Sequence, residues 1–412
     1  MKNFIAHTDK IRQEMLNSIS CTCVEDLFKQ IPIYFENFDM ESPLSEMDAQ
    51  KRVKSLANKN NTEMVSFLGG GVYNKYVPAC ISNIMQRFEF LTAYTPYQPE
   101  ISQGTLQVIY EYQTMISRLT GMDIANASMY DGASACAEAI LMSHRIARGK
   151  KNKALVSNNL NPDYKEVIKT YCWAENIELE WFETVPENCE DYCCVMLQTP
   201  DYYGEIININ KPNTLLIVVA NLSALSIIEP IREADIVVGD VQPLGIPMSY
   251  GGPHAGYMAC KEAYMRQMPG RLVGKTVDAD GKNAFTLTIQ TREQHIKREK
   301  ATSNICSNQS LIALAATLYL SLVGEKGFKQ TGVLSAYYAH LLSDKLSKKG
   351  IKTINKNLFN EFVIEVGNAE EFLLNLKENS ILGGIKLSDT KILVCTTEMN
   401  SEEEIDKYID SI

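Results

Sequence analysis

From Ala154 onward the chain alternates short apolar runs rich in Val, Ile and Leu with polar or helix-periodic segments, and no other feature constrains the fold as much. The runs are ALVSNNL, IELEWF, CCVMLQT, TLLIVVA, ADIVVGD and GYMAC, with a helical pattern over residues 164–175 between the first two. Continuous apolar runs, as opposed to alternating ones, belong to strands buried on both faces. The expected fold class is therefore α/β, a large, mostly parallel sheet covered by helices. Ligands of such sheets bind beyond the carboxyl ends of the strands, which here read Gln198-Thr199-Pro200, Asn221 and Asp240.

At 412 residues the chain is long enough for one large core and a smaller second domain. Residues 1–62 read as a helical arm with helices over 9–18, 24–34 and 44–58, residues 63–325 as the large domain, and residues 326–412 as a small C-terminal α+β domain. The net charge of −10 argues against a nucleic-acid backbone as partner. Eleven cysteines without a framework fit a reducing compartment, and five histidines, none in an HxxxH or HExxH pattern, give no metal site. The N-terminal stretch becomes charged within a few residues and has no apolar h-region, so the expected location is the cytoplasm.

Before the alternating region lies the segment 90–113, FLTAYTPYQPEISQGTLQVIYEYQ, dense in tyrosine, glutamine and proline. Pro96 and Pro99 remove backbone donors and bias their predecessors away from the α region, so its first half is an extended loop. Ser102 is a fair N-cap, and Leu106, Ile109, Tyr110, Ile116 and Leu119 share one face of a helix that Gly121 stops. The loop either packs its tyrosines over that helix or hands phenols, amides and Glu100 to a binding site.

Several other stretches could serve a site. Gly69-Gly70-Gly71 allows a tight turn or a close approach, and lacks the Lys-Ser/Thr ending of a P-loop. Asp131, Gly132, Ala133 and Ser134 open the helix before Arg148, where free N–H groups hold either a cap or an anion. His254 sits in a Gly-Pro loop as a general base or a hydrogen-bonded loop residue. Residues 268–274 read as a turn and 278–281 as a hairpin. Arg292, Lys297, Arg298 and Lys300, with His295, make a basic cluster that is either a solvated helix face or a clamp for carboxylate or phosphate. Residues 311–323 form a strongly apolar helix, too short to span a bilayer.

The stretches FLGGGVYNKYVP, RFEFLTAYTPYQPEISQGTLQ, EYQTMISRLTGMDIANASMYDGAS, VQPLGIPMSYGGPHAGYMA, MPGRLVGKT and TREQHIKREKATSNICSNQSLIALAA closely resemble the α-subunit branch (subunit 1) of the glycine dehydrogenase (decarboxylating) family. This is the P-protein of the glycine cleavage system, in the form whose two halves are separate chains. The resemblance implies the type I fold of pyridoxal-phosphate (PLP) enzymes, in which a lysine forms the Schiff base, an Asp pairs with the pyridinium nitrogen and a helix N-terminus receives the phosphate. Set beside the β subunit of the family, Gln242 stands where the lysine is needed and Val218 where the Asp is needed, leaving only Asp131, Gly132, Ala133 and Ser134 as a vestigial phosphate cradle.

On that resemblance PLP belongs to the β subunit, and this chain is its catalytically silent partner in a heterotetramer. Tyr94, Thr95, Tyr97, Gln98, Glu100, Ser102 and Gln103 are then expected to line the partner's PLP and glycine pocket, with residues 251–256 near the shared interface. The implied reaction is decarboxylation of glycine, PLP serving as electron sink, with transfer of the aminomethyl group to the lipoyl arm of H-protein. Arg292, Lys297 and Arg298 are candidates for contact with the acidic H-protein. Two alternatives remain: a scaffold that only stabilises β and docks H-protein, and a stand-alone PLP enzyme using another lysine, with Lys211, Lys261 and Lys275 the nearest. One departure from the family pattern is Tyr73-Asn74-Lys75, where an acid and an imidazole usually follow the tyrosine.

Overall fold

A computed structural model describes residues 7–31, 40–305 and 307–412. The chain forms two compact units, Met1–Thr62 and Glu63–Ile412. In the first, the helix Asp9–Ser18 is capped by Thr8 and the helix Glu46–Ala57 by Ser45, whose hydroxyl accepts from Asp48 N at 3.2 Å. The helix expected over 24–34 is instead a 3₁₀ turn, Val24–Phe28, because Asp26 draws in the N–H groups of Thr22 and Cys23; residues 32–34 of that expectation lie outside the described residues.

The second unit is organised on a seven-stranded sheet. Its strands are β1 (Ile124–Ala125), β2 (Lys153–Ser157), β3 (Glu178–Phe182), β4 (Cys194–Thr199), β5 (Leu215–Ala220), β6 (Ile236–Asp240) and β7 (Gly256–Cys260), in the spatial order β1-β7-β6-β5-β4-β2-β3. The pairs β6–β5, β5–β4, β4–β2 and β2–β3 are parallel, and β7 alone runs against its two neighbours. Both faces are covered, as the continuous apolar runs predict: Leu216, Val218 and Ala220 of β5 enter one core and Ile217 and Val219 the other.

Four helices matter for the site: α1 (Gln103–Thr120), α2 (Gly132–Ile146), α3 (Pro162–Ala174) and α4 (Ser310–Lys348). Gly121 ends α1 in the left-handed region at φ 73°, as its position predicts. A hairpin of β8 (Leu272–Val277) and β9 (Asn283–Thr288) packs on α1, so the turn expected over 268–274 already contains the start of a strand. The helix expected over 311–323 is the first part of α4, which continues to Lys348 past a break at Gly324. By length and composition α4 is apolar enough to cross a membrane. Many of its apolar side chains, however, are core: Ile312, Ala316 and Tyr319 pack under the main sheet, Ala339, Leu342 and Leu346 under a second, four-stranded sheet.

That second sheet comprises β10 (Lys352–Thr353), β11 (Glu361–Glu365), β12 (Ile385–Lys386) and β13 (Lys391–Cys395). Ahead of the loop over 94–103 stand two short helices, Ala79–Met85 and Phe88–Leu91.

Candidate functional site

Two regions collect the polar groups that the sequence singles out. The first is the carboxyl edge of the main sheet, where Gln198, Asn221 and Asp240 line a cavity with Asn161, Tyr164 and the turn residues Gly71 and Tyr73. Its volume is about 40 Å³. Small-molecule sites run to roughly 300 Å³ or more, so this one has room for water and not for a cofactor ring. Among the described residues no lysine lines it.

Helix α2 begins at this edge, and the N–H groups of Gly132 and Ser134 in its first turn are already taken. Asp131 Oδ1 accepts from Ser134 N at 2.7 Å, Asp131 N donates to Ser134 Oγ at 3.2 Å, and Gly132 N donates to Asp240 Oδ2 at 3.1 Å. At the vestigial phosphate cradle expected over Asp131, Gly132, Ala133 and Ser134, two carboxylates take up the Gly132 and Ser134 N–H groups at the end of the helix where an anion would sit. Gly132 is required there because a Cβ would lie 2.3 Å from Tyr164 Oη. Burial pushes Asp240 up to about 6, against the opposing pull of donors from Gln242 N and Gly132 N and of His254. His254 itself is a loop residue, its Nε2 lying 3.3 Å from Met248 O.

Gln242 is fully buried, and its amide is committed at both ends: Oε1 accepts from Tyr73 N at 3.0 Å, while Nε2 donates to Tyr73 O and Ile246 O at 2.9 Å each. Val218 is also fully buried and packs into the core; Val219 and Ala220 are the strand residues that reach the cavity. The lysines lie elsewhere. Lys211 and Lys261 both pair with Asp235, which precedes β6 at the amino edge of the sheet, and Lys275 is exposed on β8. The departure Lys75 is buried, 2.7 Å from Glu398 Oε2 and 3.2 Å from Ser335 Oγ, so it ties its segment to α4 and to the turn after β13. These residues do not fit PLP.

Sequence reading missed the residue that fixes the glycine turn. Glu361 of β11 accepts from Gly70 N at 2.6 Å through one oxygen and from Tyr73 Oη at 2.7 Å through the other. Gly69 is needed beside it, since a Cβ there would meet Glu361 Oε1 at 2.3 Å. Burial pushes Glu361 up to about 7. No local pattern announces a partner 288 positions from Tyr73.

The second region is the loop over residues 94–103. Tyr94 and Tyr97 are 74% and 44% exposed, and Gln98 and Glu100 face solvent, while Thr95, Ser102 and Gln103 are half-buried. Ser102 precedes α1 without capping it through its side chain. The anchor is Gln103, whose Nε2 donates to Phe285 O and whose Oε1 accepts from Phe285 N, both at 2.9 Å, so that the amide extends the edge of β9. Gln113, on the same helix, does likewise with Val273 of β8. Arg271 Nη2 donates to Tyr97 Oη at 3.1 Å.

The basic cluster divides. Lys297 and Arg298 are exposed, whereas Arg292 is buried with a guanidinium N–H donated to Met268 O. Its expected place on a partner-facing surface is corrected, because its apolar stem and charged head both lie beneath the surface and burial lowers its pKa.

Comparisons with known proteins bear on both regions. The family described as glycine cleavage system P-protein matches residues 2–412. Among curated proteins, a probable glycine dehydrogenase (decarboxylating) subunit 1 of Desulforamulus reducens is 46% identical, covering 98% of this chain and 97% of the relative. One of the same description from Geobacillus thermodenitrificans is 41% identical, covering 100% and 99%. The crystal structure of a glycine decarboxylase (P-protein) of the glycine cleavage system, in inhibitor-bound form, superposes with a TM-score of 0.87 at 37% identity over 99% of each chain. Sphingosine-1-phosphate lyase of Burkholderia pseudomallei (TM-score 0.65, 12% identity, 93% of each chain) shares the fold alone. That fold is the type I fold of PLP-dependent enzymes.

Proposed function

Because the chain belongs to the glycine cleavage system P-protein family, we propose that it is the subunit of glycine dehydrogenase (decarboxylating) that carries no cofactor and completes the active site of a PLP-bearing partner subunit. The observation that carries this reading is the filled carboxyl edge: a cavity of about 40 Å³ without a lysine, Gln242 bonded to Tyr73, and the α2 N-terminus closed by Asp131 and Asp240.

The partner's PLP supplies the electron sink for loss of CO₂ from glycine. This chain supplies groups around it. Tyr94, Tyr97, Gln98 and Glu100 stand exposed on a loop held from below by Gln103, an arrangement suited to closing a pocket from outside and excluding water from it. Residues 251–254 follow Tyr250, whose side chain is fully exposed, and are assigned to the same interface, while Ala255 and Gly256 beyond them are buried at the start of β7. The aminomethyl group passes to the lipoyl arm of H-protein, which we assign to the exposed Lys297 and Arg298. The reaction is assigned to the cytoplasm.

Tyr97→Phe and Glu100→Gln in the assembled complex test this reading. Turnover falling at least tenfold with unchanged assembly is expected; unchanged turnover would leave the chain as a scaffold.

A further inference from the structure

Arg271 is the largest fully buried side chain in the protein's described residues, 2% exposed, and it ends directly beneath a half-exposed phenol. Its backbone is fixed first. Arg271 O accepts from Ala127 N at 2.9 Å, and the preceding Pro269 O accepts from Asn126 Nδ2 at 3.0 Å, so the strand β8 starts from a pinned position. The guanidinium then has two neighbours: Glu293 Oε2, 3.8 Å from Nε, and Tyr97 Oη, 3.1 Å from Nη2. Glu293 is itself buried and also lies 3.6 Å from His295 Nδ1, whose ring meets Tyr97 edge-on at a centroid distance of 5.4 Å. A buried charge needs a counter-charge, and Glu293 provides it; the hydrogen bond to Tyr97 is what remains for function.

The chemistry of that bond has a direction. A guanidinium has donors and no acceptor, so the phenol oxygen must accept, and its own O–H proton is left to donate in another direction. Among the described residues no acceptor on this chain takes it. An adjacent cation strengthens such a donor toward an anionic oxygen. We infer that Arg271 is a positioning residue for Tyr97, holding its hydroxyl so that the O–H donates outward to an anionic oxygen bound in the partner's site. This rests on the reading that the loop completes that site. The anionic oxygen belongs either to the carboxylate of the substrate or to the phosphate of the cofactor.

The test is a double-mutant cycle in the complex assembled with the PLP-bearing subunit and H-protein. Tyr97→Phe and Arg271→Met each lower kcat/KM for glycine about tenfold to a hundredfold, the range for losing a hydrogen bond to a charged group. The double variant stays within about twofold of Tyr97→Phe, because Arg271 acts through the phenol. Arg271→Lys, which keeps the charge, recovers part of the loss and replaces Arg271→Met in the cycle should the latter not fold. A raised KM for glycine points to the carboxylate, and weakened retention of PLP to the phosphate. Independently, 3-fluorotyrosine at position 97 of the full chain reports the contact: its ¹⁹F resonance moves with Arg271→Lys and not with Lys282→Met on the hairpin turn. Multiplicative losses in the double variant, or an unmoved resonance, overturn the inference alone. Wild-type rates in Tyr97→Phe overturn the site-completion reading and the inference with it.

Discussion

The carboxyl edge of the main sheet and the loop over 94–103 are built from the same residue types and use them in opposite directions. At the edge, Tyr73 donates to Glu361, Tyr257 donates to Ala220 O, Gln242 clasps Tyr73, and Asp131 and Asp240 close a helix end. Each group is held by another group of the same chain. On the loop, Tyr94, Gln98 and Glu100 face outward, and only the glutamine and arginine beneath are bonded inward. On the function proposed above, a fold that places ligands at strand ends has turned that position into core and left the rim for function.

The comparison breaks most visibly if the edge is forced to accept a cofactor. Gln242→Lys buries an ammonium among Tyr73 and Ile246 carbonyls without a counter-ion, and should cost about 3–5 kcal/mol in urea unfolding. It should also form no Schiff base with added PLP; a borohydride-trapped adduct at residue 242 would show that the edge is still open. On the loop, Tyr94→Ala with Glu100→Ala should lower turnover of the assembled complex on the order of a hundredfold while leaving the unfolding free energy of this chain within about 1 kcal/mol of wild type, as expected for exposed side chains. A stability loss as large as that of Gln242→Lys would place the loop with the edge.

Glu361 sharpens the contrast through pH. Its folded pKa of about 7 lies above the ordinary 4.5, so the folded state keeps its proton after the unfolded state has lost it. Stability from this group is therefore full below about pH 4.5 and falls as pH rises to about 7, by roughly 3 kcal/mol. Asp240, raised for the same reason, adds a fall of the same sign at lower pH. Glu361→Gln, which mimics the protonated form toward Gly70 N and Tyr73 Oη, should flatten the higher of the two windows in unfolding measured from pH 4 to pH 8. The smallest effect expected is at the surface: Lys297→Glu with Arg298→Glu should weaken H-protein affinity by about three- to tenfold and reduce its salt dependence.

How much of this was legible follows from the range of each interaction. Strands β2 to β7, the stop of α1 at Gly121 and the hairpin around Gly281 are local, set by apolar periodicity and by residues that tolerate positive φ, and they stand where the pattern puts them. The polar loop over 94–103 was legible as a loop from its prolines. What was not legible is which polar residues turn inward. Arg292 and Lys297 look alike in sequence, yet one is buried against Met268 O and the other is exposed. Glu361 with Gly70, Lys75 with Glu398 and Arg271 with Tyr97 join segments far apart in the chain, and no window of sequence contains both partners. Ser102 shows the local limit: the residue type suits an N-cap, but Gln103 anchors the helix start to β9 instead.

The central claim is that this chain is silent alone and necessary in the complex. It is tested most directly by measuring PLP content and glycine-dependent CO₂ exchange, with H-protein present, for this chain, for its partner subunit and for the two mixed. The account predicts that this chain binds no PLP and is inactive, and that the mixture exceeds the partner alone by a large factor. Bound PLP with exchange activity in this chain by itself would contradict it.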